Sequence, residues 1–355
     1  MDSIIHTIQQ ANEPEDIFGE LDGTLAEMLA TARQIYRKMA RAIHPDVSPD
    51  SPDAADATKK LNVFWDLAED KIKQGLYGSG PLVTIQTRKN TYTVSKQIAT
   101  GDICNVYQCD FDNLRGVFKV SRSPQDNDLV ENEAQMLKKL IDADTDNQFF
   151  AYFPQVVESI AYRDEGSSAR RQANILRVVE DIQSPDELYS LAEVRQHYNN
   201  GIDPRDMAWM WRRVLIALGF AHQQGVIHGA VLPPHILIQP QMHGVILVDW
   251  CYAIHTGQRI RAIAADYDAW YPREVFKKED AVPSLDIYMA ARCMVDVVDN
   301  MPARMSKYFE WCMMENARMR PQDAWKLLEE FDEMLEALWG PRRFRKFEMP
   351  EKGKR

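Results

Sequence analysis

Few of the reactive side chains in this 355-residue sequence stand at spacings that covalent chemistry requires. The five cysteines, Cys104, Cys109, Cys251, Cys293 and Cys312, are odd in number and form neither a CxxC pair nor a Cys/His metal spacing, so they read as reduced, mostly buried thiols. The most informative cluster is instead His44-Pro45-Asp46, directly after a stretch in which Arg33, Arg37 and Arg41 recur every four residues with Lys38 beside them. On a helix that spacing stacks the cations along one stripe. A basic stripe ending in an exposed polar tip suits docking to an acidic surface, because charge complementarity speeds and orients encounter.

The elements that must carry this stripe are legible. Leu25, Met28, Leu29, Ala32, Ile35, Tyr36, Met39 and Ile43 fall at three-and-four spacing and predict an amphipathic helix. Pro45 cannot continue it and disfavours helical geometry at His44, so the chain must turn there. Ser51-Pro52 supplies an N-cap and a first-turn proline for a second helix, whose apolar face is Leu61, Phe64, Trp65, Ala68 and Ile72. The expected product is a helical hairpin with His44-Pro45-Asp46 at its tip.

This segment, residues 1 to 76, resembles a J-domain. The resemblance implies docking to a DnaK-type heat-shock chaperone through His44, Pro45, Asp46, Arg33, Arg37, Lys38 and Arg41, with the tip triggering ATP hydrolysis. The loop is long and acidic for that family (Asp50, Asp53, Asp56), and no Gly/Phe-rich segment follows. A protein client would therefore be held elsewhere in the chain.

Gly75, Gly78, Gly80 and Pro81 break the helical pattern, which places a linker at 77 to 90. Strand-like runs then cover Tyr92 to Ile98, Val106 to Cys109 and Val117 to Val120. A helix around Leu129 to Leu140, a strand at Ile175 to Val179 and a mostly helical half complete the order. Asp203-Pro204 opens a strong helix with Met207, Met210, Trp211, Val214, Leu215, Leu218 and Ala221 on one face.

Residues 91 to 340 in this order resemble the two-lobed protein-kinase fold, so the chain reads as multidomain α+β: a helical hairpin followed by a kinase-like domain. The resemblance implies cofactor-binding roles for Gly101, Lys119, Glu133 and Asp249, the last as a magnesium ligand, and leaves ATP and magnesium binding open. The matching phosphate loop keeps only Gly101, with Ala99 and Cys104 at the other glycine places, and Val117 replaces a smaller residue beneath the base. In the stretch from His228 to Ile238, Ala230 stands where the family has its catalytic aspartate, Leu232 where it has a lysine and His235 where it has a metal-binding asparagine. No catalytic residue is assigned. Positions that brace the family's fold survive: Glu274 in Tyr271-Pro272-Arg273-Glu274, Asp286, and an arginine of Arg318-Met319-Arg320-Pro321 to pair with that glutamate. The expectation is a co-chaperone whose J-domain recruits and stimulates the chaperone while a pseudokinase domain binds a client or partner, with nucleotide control left open; the alternative is an atypical ATP-dependent phosphotransferase or nucleotidyltransferase working without the usual aspartate.

Charge narrows the partners. The net charge is −11, yet residues 340 to 355 hold seven Lys/Arg and two Asp/Glu, so a tail of +5 follows a body of −16. An acidic body argues against broad nucleic-acid binding, and the 341 to 355 tail reads as a solvated terminus able to make at most a weak salt-sensitive contact with RNA. No run of 18 apolar residues and no basic-then-apolar leader is present, from which no membrane partner and a cytoplasmic location are expected.

Overall fold

The computed structural model describes residues 2–11, 14–19, 21, 24–43, 52–73, 77, 83–112, 114–163, 170–177 and 188–350. The chain divides into two compact units, Met1–Ile85 with Thr93–Gln97 and Pro350–Arg355, and Gln86–Tyr92 with Ile98–Met349. Among the described residues, no helix is long and apolar enough to cross a membrane.

The first unit contains four helices: α1 (Asp2–Gln10), α2 (Glu15–Phe18), α3 (Leu25–Ala42) and α4 (Pro52–Lys73). Thr24 starts α3 with a capping box: its hydroxyl accepts from the Glu27 amide, and Glu27 Oε2 accepts from the Thr24 amide at 2.7 Å. Such a cap contributes about 1 kcal/mol. Helices α3 and α4 run antiparallel, since Arg33 pairs with Glu69 at 3.6 Å while the Tyr36 hydroxyl donates to Asn62 at 2.8 Å. Ala32, Ile43, Leu61, Phe64, Ala68 and Ile72 are buried between the helices, whereas Leu25, at the open end of α3, is exposed. Arg37, Lys38 and Arg41 point to solvent, but Arg33 also lies over the Trp65 ring at 5.7 Å, so it belongs to the hairpin as well as to the stripe. His44, Pro45 and Asp46 lie outside the described residues.

The span 77 to 90, which reads as a linker, contains strand β1 (Val83–Gln86); β2 (Thr91–Thr100) follows. In the second unit, β3 (Cys104–Phe111), β4 (Leu114–Ser121), β5 (Gln155–Tyr162) and β6 (Arg171–Arg177) form an antiparallel sheet in the order β3-β4-β6-β5, with α5 (Asn127–Ala143) between β4 and β5 in sequence. The sequence reading had no β5 and placed β6 late, at 175 to 179. Arg171, Gln172 and Asn174 conceal the start of β6, because Asn174 is a polar residue fully buried inside a strand.

The helical part comprises β7 (Tyr189–Ser190), α6 (Leu191–His197), α7 (Pro204–Gln223), the short strands β8 (Val226–Ile227), β9 (Ile236–Gln239), β10 (Gly244–Leu247) and β11 (Ile254–His255), then α8 (Arg273–Phe276), α9 (Ser284–Val297), α10 (Ala303–Cys312) and α11 (Ala324–Trp339). Asp203 caps α7 by accepting from the Arg205 amide at 2.8 Å. Helix α7 buries more than the one face its spacing predicts: Ala208, Trp209, Ala217 and Phe220 are also inside, as expected for a helix packed on several sides. Gly219 permits this, since a Cβ there would meet the Trp325 ring of α11 at 2.7 Å. Trp211 Nε1 donates to Tyr308 and the Tyr308 hydroxyl donates to the Leu327 carbonyl, which ties α7, α10 and α11 through buried, satisfied polar groups. One continuous core runs from Leu137 of α5 through α7 to Phe331 of α11.

Candidate functional site

Strand β4 and helix α5 bring two charges together inside the second unit. Lys119 alternates with Phe118 and Val120 on β4, and its ammonium lies 2.8 Å from Glu133 Oε1 of α5 and 2.5 Å from Asp249 Oδ1. Glu133 is fully buried and is held from behind by Asn174, whose amide donates to Glu133 Oε2 at 3.0 Å and to the Val130 carbonyl at 2.8 Å. Ser159 donates to Asn174 in turn at 2.7 Å. Asn174 is a positioning residue that sequence reasoning missed, because a lone asparagine in a strand carries no spacing signal. Burial opposes charge on Lys119, but Asp249 foremost, with Glu133 among its further neighbours, raises the ammonium well above its ordinary value.

Asp249 has the left-handed backbone conformation φ 65°, ψ 56°, which a short polar residue tolerates better than most. This turn follows β10. Trp250 then turns inward, packs tilted against His228 at 4.5 Å and edge-on against Phe153 at 5.5 Å, and donates to the Leu247 carbonyl. Asn132 of α5 donates to the carbonyls of Cys251 and Ala253 at 3.2 and 2.8 Å, so α5 holds the segment after Asp249 as well as Glu133. Both Asp249 oxygens are engaged: Oδ1 by Lys119, Oδ2 by His235 Nε2 at 3.1 Å. Burial would raise the Asp249 carboxyl, but Lys119 and then His235 outweigh it and hold it well below the usual range.

The segment from His228 to His235 is folded around its own polar groups. Asp286 of α9 accepts from the amides of His228 (2.8 Å) and Gly229 (2.9 Å) and from His222 Nε2 (2.9 Å). Gly229 has φ +76°, and a Cβ there would meet the Tyr252 carbonyl at 2.8 Å, so glycine is required. His228 Nε2 donates to the Val248 carbonyl and its Nδ1 accepts from the Ala230 amide, which fixes one neutral tautomer. Burial pushes this imidazole down to about 4. His235 Nδ1 donates to the Ala230 carbonyl at 2.8 Å, so both nitrogens of that ring face oxygen acceptors. Position 230 offers only a buried methyl group, and Leu232 is likewise buried. No step in which a hydroxyl gives up its proton can run through these two side chains.

Gly101 lies in the turn between β2 and β3. Its amide donates to the Cys104 carbonyl at 2.8 Å, and an added Cβ would meet that oxygen at an ordinary 3.6 Å. The neighbouring Asp102 accepts from the Ala265 amide, which ties the turn to the segment after β11. Cys104, at one of the glycine places of the resembled phosphate loop, and Cys251 are both buried and neighbour each other. Burial first, then the neighbouring Cys104 thiol, pushes the Cys251 thiol well above its ordinary value, so it is not a thiolate.

Glu133, Asp249 and Cys251 offer ligand atoms within 4.8 Å of one another. This set does not fit magnesium: the Lys119 ammonium already stands between the carboxylates, a hard ion prefers oxygen to a thiol, and His235 occupies the remaining Asp249 oxygen. Outside this site, Glu274 and Arg320 form a two-point ion pair with Nη2 to Oε2 at 3.2 Å, and Arg320 also lies 4.4 Å from the Tyr288 ring centre.

Residues 341–349 of the tail are seated on the body rather than solvated, and residues 351–355 lie outside the described residues. Arg345 binds Asp206 of α7 at 2.8 and 3.2 Å, and Phe347 is buried between Tyr198 and Trp209.

No family model matches the chain, and no curated protein matches it. Among solved structures it is similar to the crystal structure of the BubR1 kinase domain, with a TM-score of 0.56 and 14% identity over 78% of this chain and 92% of that one. The likeness is one of fold, and the chain contains a protein-kinase-like fold. Nothing in these comparisons matches a J-domain.

Proposed function

We propose that the kinase-like unit is a pseudokinase, a binding module that performs no phosphoryl transfer. The observation that carries this reading is the closure of Asp249 on itself: Lys119 holds one oxygen, His235 holds the other, and Ala230 offers no base. Phosphoryl transfer depends on positioning and charge neutralisation. Here the groups that would neutralise phosphate charge neutralise one another instead. Incubation with radiolabelled ATP and candidate acceptors should give no transfer; label that appears with the wild type and vanishes in Asp249→Ala would overturn the reading and favour an atypical transferase, for which the intact Lys119, Glu133 and Asp249 cluster is the supporting feature.

The N-terminal helical unit, in this proposal, recruits a DnaK-type chaperone to a protein client held by the pseudokinase. Its support is the tripeptide His44-Pro45-Asp46 after an exposed stripe of Arg37, Lys38 and Arg41. The purified protein should raise the ATPase rate of such a chaperone, and His44→Gln should abolish the increase. An unchanged rate with the wild type sinks the co-chaperone assignment without touching the pseudokinase one.

A further inference from the structure

After Trp339 the chain turns at Gly340 (φ +74°) and residues 341–349 cross the start of α7 without regular secondary structure. They are held the way a bound peptide is held. Two main-chain carbonyls are anchored by side chains of the body: Arg345 O accepts from His243 Nε2 at 2.7 Å and Glu348 O from the Tyr198 hydroxyl at 2.6 Å. Two side chains are read. Arg345 makes a two-point contact with Asp206 and lies 3.6 Å from Asp203, and Phe347 inserts between Tyr198 and Trp209. Phe344 adds a lid, stacking on His243 at 4.4 Å while His243 stacks on Trp209 at 4.3 Å. Lys346 and Glu348 between these anchors are exposed.

The tail leaves part of its seat open. Beside it remains a cavity of about 360 Å³ bordered by Tyr198, Gly201, Ile202, Asp203, Asp206 and Phe347. Main-chain anchors, one charge-matched arginine and one buried aromatic are the recurring parts of peptide recognition, in which a few buried residues carry most of the affinity.

We propose that this surface is a peptide-docking groove, occupied in cis by Arg345 to Phe347, whose partner is a protein segment of the same chemistry: an arginine, one intervening residue, and an aromatic. The tail acts as an internal competitor. Tethering gives it a high effective concentration, so a partner gains access only by outcompeting it or when it is displaced. The groove stands apart from the Asp249 cluster, and the proposal holds whether or not that cluster turns over nucleotide.

The test uses the full-length protein. In a double variant, Arg345→Glu with Phe347→Ala, the tail loses both side-chain anchors and keeps only its two main-chain ones, so the groove opens. A fluorescein-labelled synthetic peptide with the sequence of residues 341–350 should then bind at least tenfold more tightly, by fluorescence polarisation, than it binds the wild type. A peptide with alanine in place of its second phenylalanine should lose at least tenfold, and so should protein carrying Asp206→Lys in addition. Equal binding to wild type and variant, with unchanged melting temperatures, overturns the proposal and makes the tail a fixed part of the fold. Should the double variant melt early, hydrogen exchange on the wild type decides. Tail amides exchanging far faster than those of α7 support a detachable ligand, and exchange as slow as that of α7 overturns it. A wild-type dimer in sedimentation that Phe347→Ala dissolves would assign the groove to the tail of a second copy and overturn the partner named here.

Discussion

The segment from Val226 to His235 is gripped at one end by Asp286 and meets Asp249 at the other, and the two ends use their polar groups differently. At the Asp286 end, one carboxylate satisfies two backbone amides and a histidine, all buried, and the Glu274 and Arg320 pair adds a second brace. At the Asp249 end, the side chains that would act outward are either apolar, as at Ala230 and Leu232, or turned on one another, as Lys119 and His235 are on Asp249. Geometry is kept at both ends. Reactivity needs a further property, an unsatisfied group aimed at empty space, and the second end has none at position 230. A fold can hold a loop in place by hydrogen bonds that are indifferent to whether the loop does chemistry.

The largest expected effect tests the bracing end. Glu274→Ala leaves Arg320, whose side chain is 1% exposed, without its counter-charge, and should cost about 4 kcal/mol in urea unfolding. A loss under about 1 kcal/mol would mean that the brace is not structural and would erase the contrast between the two ends.

Next comes pH. Folded His228 is neutral down to about 4, whereas the unfolded side chain titrates near its ordinary 6.5. Between those values the unfolded chain binds a proton that the folded chain refuses, so stability is complete above pH 6.5 and falls as pH drops, by about 3 kcal/mol across the window. Urea midpoints measured from pH 7 to 4.5 should show the decline, and His228→Phe should flatten it. An equal slope in the variant would place the titration elsewhere.

A smaller effect sharpens the Asp249 end. His235→Asn frees Asp249 Oδ2 and removes both contacts of the imidazole, to Asp249 and to the Ala230 carbonyl, at a cost of about 2 kcal/mol. With an oxygen ligand restored, Mg-ATP at about ten times its dissociation constant should raise the melting temperature of the variant by about 3 °C while leaving the wild type unmoved. A shift of equal size in the wild type would contradict the statement that this cluster does not fit magnesium.

The smallest effect lies on α3. Arg37→Glu with Lys38→Glu replaces exposed cations and should change stability by less than about 0.5 kcal/mol. In the chaperone ATPase assay the same change should remove stimulation, so a large stability loss with retained stimulation would reverse the assignment of that face.

Much of the helical framework was legible in the sequence because its signals are local. The apolar spacing of α3 and α4, the Pro52 start of α4 and the Asp203-Pro204 start of α7 all depend on residues within a turn or two of each other. Strand β6 was misplaced at its start and β5 was missed: Asn174 is polar for a long-range reason, its bond to Glu133 41 residues earlier. The meeting of Cys104 with Cys251 and the docking of Phe347 on Trp209 were equally silent, since neither has a periodicity to read.

The sequence alone determined which functional groups the kinase-like unit can have: a methyl at position 230 and an imidazole at 235 follow from residue identity, and no fold can turn them into an acid and an amide. Only the tertiary structure decided where the remaining charges point. Lys119, Glu133 and Asp249 come from a strand, a helix and a turn far apart in the chain, and burial in one low-dielectric place makes them partners for each other. The same long-range packing turned a basic tail into a seated peptide, because an aromatic residue gains more from a matching slot than a charge run gains from water.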